Sequence, residues 1–204
     1  GTLVQGDINT QAYRKFDPVN PTDVSIASSL GAADKKVLGN VLPTYFGAFN
    51  SNMAYKNFDL GFMFRFSGGN KINNLTRREL LSQGFNNNGT EILGRWQSID
   101  NPGDGWTPRL RDDRETIINI NQASSRFVEK GDYIKLDNIT LGYNLPKSVL
   151  DKVGLEKFRL FVQGQNLLII TDYKGLDPEM EVLGNDYNGT PRSRIFSIGL
   201  NVGF

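Results

Sequence analysis

The chain has 204 residues, with 22 glycines, 13 phenylalanines and 7 tyrosines in a polar background. Its formal net charge is +1, with 23 basic and 22 acidic side chains, which excludes both the basic footprint of a nucleic-acid binder and a polybasic membrane anchor. Histidine and cysteine are absent, so thiolate nucleophiles, Ser-His dyads, imidazole or thiolate zinc sites and disulfides are all removed.

Residues 1–43 read as an external loop leading into the first strand, and residues 44–204 as barrel strands interrupted by a long loop over 68–130. Tyr45, Phe49, Met53 and Tyr55 share one strand face, with Asn50, Asn52 and Ala54 on the other. Lys56 and Asn57 then make a tight hairpin turn. Phe58, Leu60, Phe62, Phe64 and Phe66 alternate strictly with Asp59, Gly61, Met63 and Arg65. In the long loop, Thr76 and Glu79 have capping-box spacing, Leu80 and Leu81 supply an apolar face and Gly84 can close the end, which predicts a short helix from Arg77 to Gln83. Asn86, Asn87, Asn88 and Gly89 form a turn-like cluster.

Farther on, Ile139, Leu141, Tyr143 and Leu145 alternate with Asn138, Thr140, Gly142 and Asn144, while Ile134 and Leu136 stand in the opposite phase. That places a bulge or a membrane boundary near Asp137. Phe158, Leu160, Val162, Leu168 and Ile170 oppose Arg159, Gln163, Gln165 and Ile169, with Phe161 and Leu167 blurring the pattern. The last strand sets Phe196, Ile198, Leu200, Val202 and Phe204 against Ser197, Gly199, Asn201 and Gly203.

No run of about 18 apolar residues exists, so no transmembrane helix is expected; a β-barrel escapes that test because lipid-facing and lumen-facing side chains alternate. The chain opens at Gly1 without an initiator Met or signal peptide, and reads as a mature or internal segment. Short and long connectors alternate along the five strands, as they do when one barrel end faces the periplasm and the other carries external loops. The fold class is therefore all-β, an antiparallel transmembrane β-barrel segment with long external loops. The smallest membrane barrels have about 8 strands, so five must be completed by others.

Val37-Leu38-Gly39-Asn40, Pro43-Thr44-Tyr45-Phe46-Gly47 and Tyr55-Lys56-Asn57-Phe58-Asp59-Leu60 run in order along the first hairpin. Arg95-Trp96, Asn101-Pro102 and Pro108-Arg109-Leu110 follow, then Ser125-Arg126-Phe127-Val128-Glu129-Lys130-Gly131-Asp132-Tyr133 and Leu141-Gly142-Tyr143-Asn144-Leu145-Pro146. Gly164-Gln165-Asn166-Leu167, Tyr173-Lys174-Gly175 and Asp177-Pro178-Glu179 complete the set. Across roughly residues 37 to 204 this resembles the C-terminal segment of SusC/RagA-like TonB-dependent transporters of Bacteroidetes. The resemblance implies a barrel of about 22 strands with a plugged lumen. It also implies an outer-membrane importer of oligosaccharides or oligopeptides driven by the TonB complex, with a SusD-like surface lipoprotein as substrate-capturing lid. The family's plug and TonB box fall outside these residues. Its calcium-loop-like repeat has no counterpart where Gly6-Asp7-Ile8 runs into Gln11 to Ala33, so no calcium is expected there.

The aromatic strand faces read as lipid-facing in preference to a sugar-stacking platform. Trp96 and Trp106, in the external loop, are candidates for substrate or partner contact, with loop anchoring as the equally simple account. Arg159, Gln163 and Gln165 should face the lumen or a plug. Gly199, Val202 and Phe204, with Ser197, resemble the C-terminal signal read by outer-membrane assembly machinery. Asp100, Asp104, Asp112 and Asp113, with Gly103 and Gly105, offer oxygen ligands but no EF-hand spacing. Asp177, Glu179 and Glu181 read as solvated loop charge, and Gly131, Gly142 and Gly164 as turn, bulge and close-packing positions. No catalytic, cofactor or metal residue is assigned. The leading expectation is thus an importer segment whose partners are the rest of the barrel, outer-membrane lipid, the lipoprotein and the TonB complex. A soluble β-sandwich glycan-binding module is the alternative, and an outer-membrane enzyme ranks last because no hydrolase triad can form without histidine.

Overall fold

The computed structural model describes residues 35–82, 87–104, 107, 110, 124–180 and 183–204, together with the pairing of two short strands at 13–16 and 24–27. In chain order the strands are β1 (Tyr13–Phe16), β2 (Val24–Ala27), β3 (Tyr45–Tyr55), β4 (Phe58–Gly68), β5 (Lys71–Asn74), β6 (Val128–Lys130), β7 (Tyr133–Asn144), β8 (Lys157–Thr171), β9 (Asn185–Asp186) and β10 (Ile195–Gly203). Two helices are α1 (Leu75–Leu80) and α2 (Lys147–Val153).

The five long strands form one antiparallel sheet in the order β10-β8-β7-β4-β3. Tyr55 pairs with Phe58 across the two-residue turn, where Lys56 takes a left-handed φ of 53°. β3 and β4 are 11 residues each, the length a tilted strand needs to cross the hydrocarbon layer. Met63 pairs with Asn138 but Phe64 with Leu136, so Asp137 has no partner on β4 and the phase change expected there is a bulge. On the other side Leu136 pairs with Leu168 and Asn138 with Gln165, which bulges Asn166 and Leu167 out of β8, Asn166 at φ 54°. Leu167 breaks the alternation of its strand for that reason.

Register turns each strand's period into a property of the whole sheet. Tyr55, Phe58, Tyr143, Leu160 and Leu200 lie in one cross-strand row, and Met53, Leu60, Leu141, Val162 and Ile198 in the next. The opposite face carries Asn52, Gly61, Thr140, Gln163 and Ser197 in one such row. The apolar face is not covered by protein: Ile198 is 78% and Phe49 60% exposed. Among the described residues, β3 and β10 each leave one edge unpaired. A sheet with one bare apolar face, one polar face and two open edges is a segment of barrel wall, as the alternation predicted. No described helix is long and apolar enough to cross a membrane.

The chain divides into two compact units. The sheet dominates one of them, which spans residues 40–70, 130–180 and 189–204. It also holds α2, within the short connector between β7 and β8. Pro146 precedes that helix, Gly154 closes it at φ +68°, and Leu155 donates its N–H to the Leu150 carbonyl while the Leu150 side chain is buried. Only a residue without a Cβ adopts the Gly154 conformation at little cost.

The other unit comprises residues 1–39, 71–129 and 181–188. It contains the β1–β2 hairpin, inside what was expected to be loop, and the small sheet β6-β5-β9, in which β5 and β9 run parallel. Ile72 and Phe127 are fully buried there, with Leu81 nearly so. The expected helix from Arg77 to Gln83 is displaced toward the N-terminus. Asn74, not Thr76, is its cap, accepting the Arg77 N–H at 2.8 Å, while the Thr76 hydroxyl donates to Asp186 at 3.2 Å. Gln83 and Gly84 lie outside the described residues.

Leu141→Arg puts a cation in the middle of the apolar face. It is expected to destabilise the intact protein in lipid bilayers by about 2–4 kcal/mol. Thr140→Arg, on the opposite face, should change the urea midpoint far less; equal losses would contradict the assignment of faces.

Candidate functional site on the polar face

The polar face is organised at both ends by charge. Near the short-turn end, the Arg159 guanidinium of β8 meets Asp59 of β4 in a two-pronged ion pair, Nε to Oδ1 at 3.0 Å and Nη2 to Oδ2 at 2.5 Å. Asn144 donates to the same Asp59 Oδ1 at 2.9 Å. The pair spans the intervening strand directly over Gly142, where a Cβ would come within 2.5 Å of both Arg159 Nη2 and Asp59 Oδ1. Glycine at 142 is therefore a slot for the bridge, in line with the close-packing role expected of it.

Arg159 also lies 5.0 Å over the ring of Phe161, an aromatic that the alternation did not explain. Phe161 sits on this face because Gly199 of β10, its register partner, leaves room for the ring. Arg159, Gln163 and Gln165 thus share the polar face, but the first is already engaged within the wall. Of the terminal candidates, Val202 lies on the apolar face opposite Phe158, and Phe204 follows β10 with 89% of its surface exposed.

The long-loop end holds a denser cluster. Register places Arg65 of β4 directly opposite Lys135 of β7, two cations on adjacent strands whose repulsion must be offset. Asp137, at the bulge, takes Arg65 at 2.9 Å. The second carboxylate comes from the segment after β8, where Glu179 reaches back to Lys135 Nζ at 2.5 Å, Arg65 Nη2 at 3.1 Å and the Tyr133 hydroxyl at 2.8 Å. The Glu179 side chain is only 8% exposed, and Asp177 is also buried and accepts the Glu179 N–H at 2.9 Å. Solvated loop charge is therefore the wrong description of Asp177 and Glu179, because Glu179 is recruited by cations far away in sequence and Asp177 is buried against the Glu179 backbone. Glu181 lies outside the described residues. Burial pushes the Glu179 carboxyl up, but the hydrogen bonds from Lys135 and Tyr133 and the charges of Lys135 and Arg65 outweigh it and hold the group below its ordinary value.

In the loop unit, Arg77 is the hub. Its Nε and Nη2 clasp Glu91 at 2.7 and 2.5 Å, its Nη1 donates to Glu129 at 3.2 Å and to the Arg126 carbonyl at 3.0 Å, and its guanidinium lies 5.9 Å over the Phe127 ring. Trp96 is half-buried, tied by its backbone N–H to the Thr107 carbonyl at 2.9 Å. Trp106, Asp112 and Asp113 lie outside the described residues. Asp104 holds the Thr107 N–H and hydroxyl, each at 2.7 Å, which gives that carboxylate a loop-closing task. The Arg77 hub has no signature in the sequence, and Glu179 reads there as solvated charge, since nothing local marks a residue whose partners lie far along the chain.

No protein-family profile matches the chain. It is 37% identical over 193 residues to TonB-dependent receptor P3 of Formosa agariphila, covering 89% of this chain and 18% of the relative. TonB-dependent receptor SusC of Bacteroides thetaiotaomicron is 33% identical over 174 residues, covering 83% of this chain and 16% of SusC. The chain therefore spans less than a fifth of the length of these curated relatives. Among solved structures, the RagAB peptide transporter superposes with a TM-score of 0.79 over 97% of this chain and 21% of its own, at 24% identity. RagAB in its open-open state gives a TM-score of 0.78 at 23% identity, and the shared architecture is the barrel wall.

Two outcomes follow from the polar face. Gly142→Val must displace the Asp59–Arg159 bridge and is expected to destabilise the intact protein by about 1–3 kcal/mol. The urea midpoint measures this, and an unchanged midpoint would show that the bridge moves aside freely. For Glu179, a carboxyl held below its ordinary value contributes stability above the usual glutamate range of about 4.3 and loses it as pH falls beneath that range. The difference in urea midpoint between wild type and Glu179→Gln should be full at neutral pH and shrink on acidification below about pH 4.

Proposed function

Because the chain is a SusC/RagA-like segment of the TonB-dependent receptors, we propose that it builds part of the wall of an importer taking up oligosaccharides or oligopeptides through the outer membrane. The segment is an outer-membrane one, and its relatives are receptors and transporters, not enzymes. The observation that carries the proposal is the sheet, with a continuous bare apolar face, a polar face and two unpaired edges. In this reading lipid covers the row from Met53 to Ile198, and strands from the remainder of the protein complete the barrel on both sides.

Residues 44–204 then supply wall and external loops, and residues 1–43 the loop leading in. Gln163 and Gln165 face the lumen or its plug, while Arg159 stiffens the wall beneath them. Trp96 and Trp106 belong to the external loop that meets substrate or partner. Gly199, Val202 and Phe204 serve as the assembly signal. A SusD-like surface lipoprotein caps the importer, and the plug and TonB box that couple it to the TonB complex lie in the remainder of the protein. The RagAB structures are those of a peptide transporter, which supports oligopeptide as one cargo class beside oligosaccharide. A β-sandwich module would cover the apolar face with a second sheet, and no described element does so.

Mass spectrometry of the native polypeptide from detergent-solubilised outer membranes tests this. A chain several times longer, co-purifying with a lipoprotein, is the expected result. A soluble species of 204 residues that binds glycan without detergent would overturn it.

A further inference from the structure

The last strand of the wall has little to fix its register. The connection from β8 to β10 runs through residues 172–194, too long for a tight turn to set the pairing. On its apolar face β10 carries Phe196, Ile198, Leu200 and Val202, so a slip of two residues exchanges one apolar side chain for another and that face does not resist it. A hydrogen bond from Asn166 to the Ser193 carbonyl at 3.0 Å is exposed and lies before the strand begins. We infer that Phe161 of β8 and Gly199 of β10 are the register pin of the last strand, the ring lying in a gap that only a residue without a Cβ leaves open.

Three observations carry this. First, Phe161 is an aromatic on the polar face with glycine opposite it on both neighbouring strands, Gly142 on β7 and Gly199 on β10. Its ring lies toward Gly199, where an added Cβ would fall against the ring tip, 2.6 Å from Cε1. Second, the ring's other flank is closed. The room over Gly142 is taken by the Asp59–Arg159 bridge, whose atoms would lie 2.5 Å from a Cβ there, and the Arg159 guanidinium stands 5.0 Å over the ring itself. Overlap at Gly199 is therefore not relieved by a swing of the side chain toward β7, and lifting the ring off the sheet gives up the guanidinium contact. Third, the neighbouring registers fail. A slip of one residue turns the apolar side chains of β10 to the polar face. A slip of two brings Ser197 or Asn201 opposite Phe161, each with a Cβ where the ring tip sits. Gly203 reaches that place only after a slip of four, which runs β10 into the bulge at Asn166 and Leu167.

The inference deepens the reading of Gly199 as part of an assembly signal, and two readouts on the full-length receptor keep them apart. Cysteines at Gln163 and Ser197, register partners in a segment without cysteine of its own, report the native pairing through disulfide yield per folded receptor. The amount of folded receptor in outer membranes reports assembly. Gly199→Val should lower the disulfide yield about tenfold, and adding Phe161→Ala should restore it to the level of Phe161→Ala alone. A yield that Phe161→Ala does not restore, or that Gly199→Val leaves unchanged, would overturn the pin. Loss of folded receptor in Gly199→Val at unchanged yield would keep the assembly signal and remove the pin, whereas a yield lost and restored at a constant amount of receptor would do the reverse.

Discussion

A strand's backbone N–H and C=O groups have no partner in hydrocarbon except another strand, and that constraint governs the rest of this structure. It explains why five strands pair laterally without a break, why each bulge is matched by an adjustment in the neighbouring strand, and why the two outer edges define the segment as incomplete. In the proposed barrel wall the apolar face needs no second protein layer, because lipid would take the place of a core. Side chains therefore do not have to interdigitate there, and register matters more than packing. Rows such as Leu60, Leu141, Val162 and Ile198 are alike in chemistry and not jigsaw-fitted in shape.

The polar face obeys the opposite rule. It carries charge, yet its charges are ordered. Asp59 and Arg159 join strands that are not neighbours, across a glycine, and so resist sliding of β4 against β8 in a way that backbone pairing with β7 alone does not. The bidentate geometry fixes direction as well as distance. At the other end Arg65, Lys135, Asp137 and Glu179 balance two cations against two carboxylates. Both clusters lie near the ends of the strands, with Thr140, Gln163 and Ser197 between them on neutral ground.

Period-two alternation is local, which is why all five wall strands, the Lys56-Asn57 turn and the break at Asp137 could be read from residues alone. Their partners are adjacent elements, and the pattern repeats until it is unmistakable. The loops follow no such rule. α1 begins two residues earlier than its capping-box spacing suggests because Asn74 accepts the Arg77 N–H and caps it first, and Thr76 is drawn to Asp186, 110 positions away. Glu179 looked like solvent-facing charge because its donors are on β4 and β7. Phe161 looked like noise until Gly199 and Arg159 were placed beside it. α2 could have been found, since Pro146 and Gly154 bracket it with the expected asymmetry.

The two compact units also differ in what holds them. The wall unit is ordered by backbone ladders and needs side-chain charge only at its margins. The loop unit has a small apolar centre, Ile72, Phe127 and Leu81, and is tied together by Arg77, whose guanidinium reaches Glu91, Glu129 and a backbone carbonyl at once through four hydrogen bonds. A hub of that kind can hold a loop of this length in shape without an extended core, because each contact is directional and the Phe127 ring beneath the guanidinium restricts it further. Glu179 uses the same chemistry in the wall unit, where one carboxylate gathers Lys135, Arg65 and the Tyr133 hydroxyl from two strands. In both units a single charged side chain thus joins segments that are distant in sequence, and the directionality of its contacts does what an extended apolar core does elsewhere.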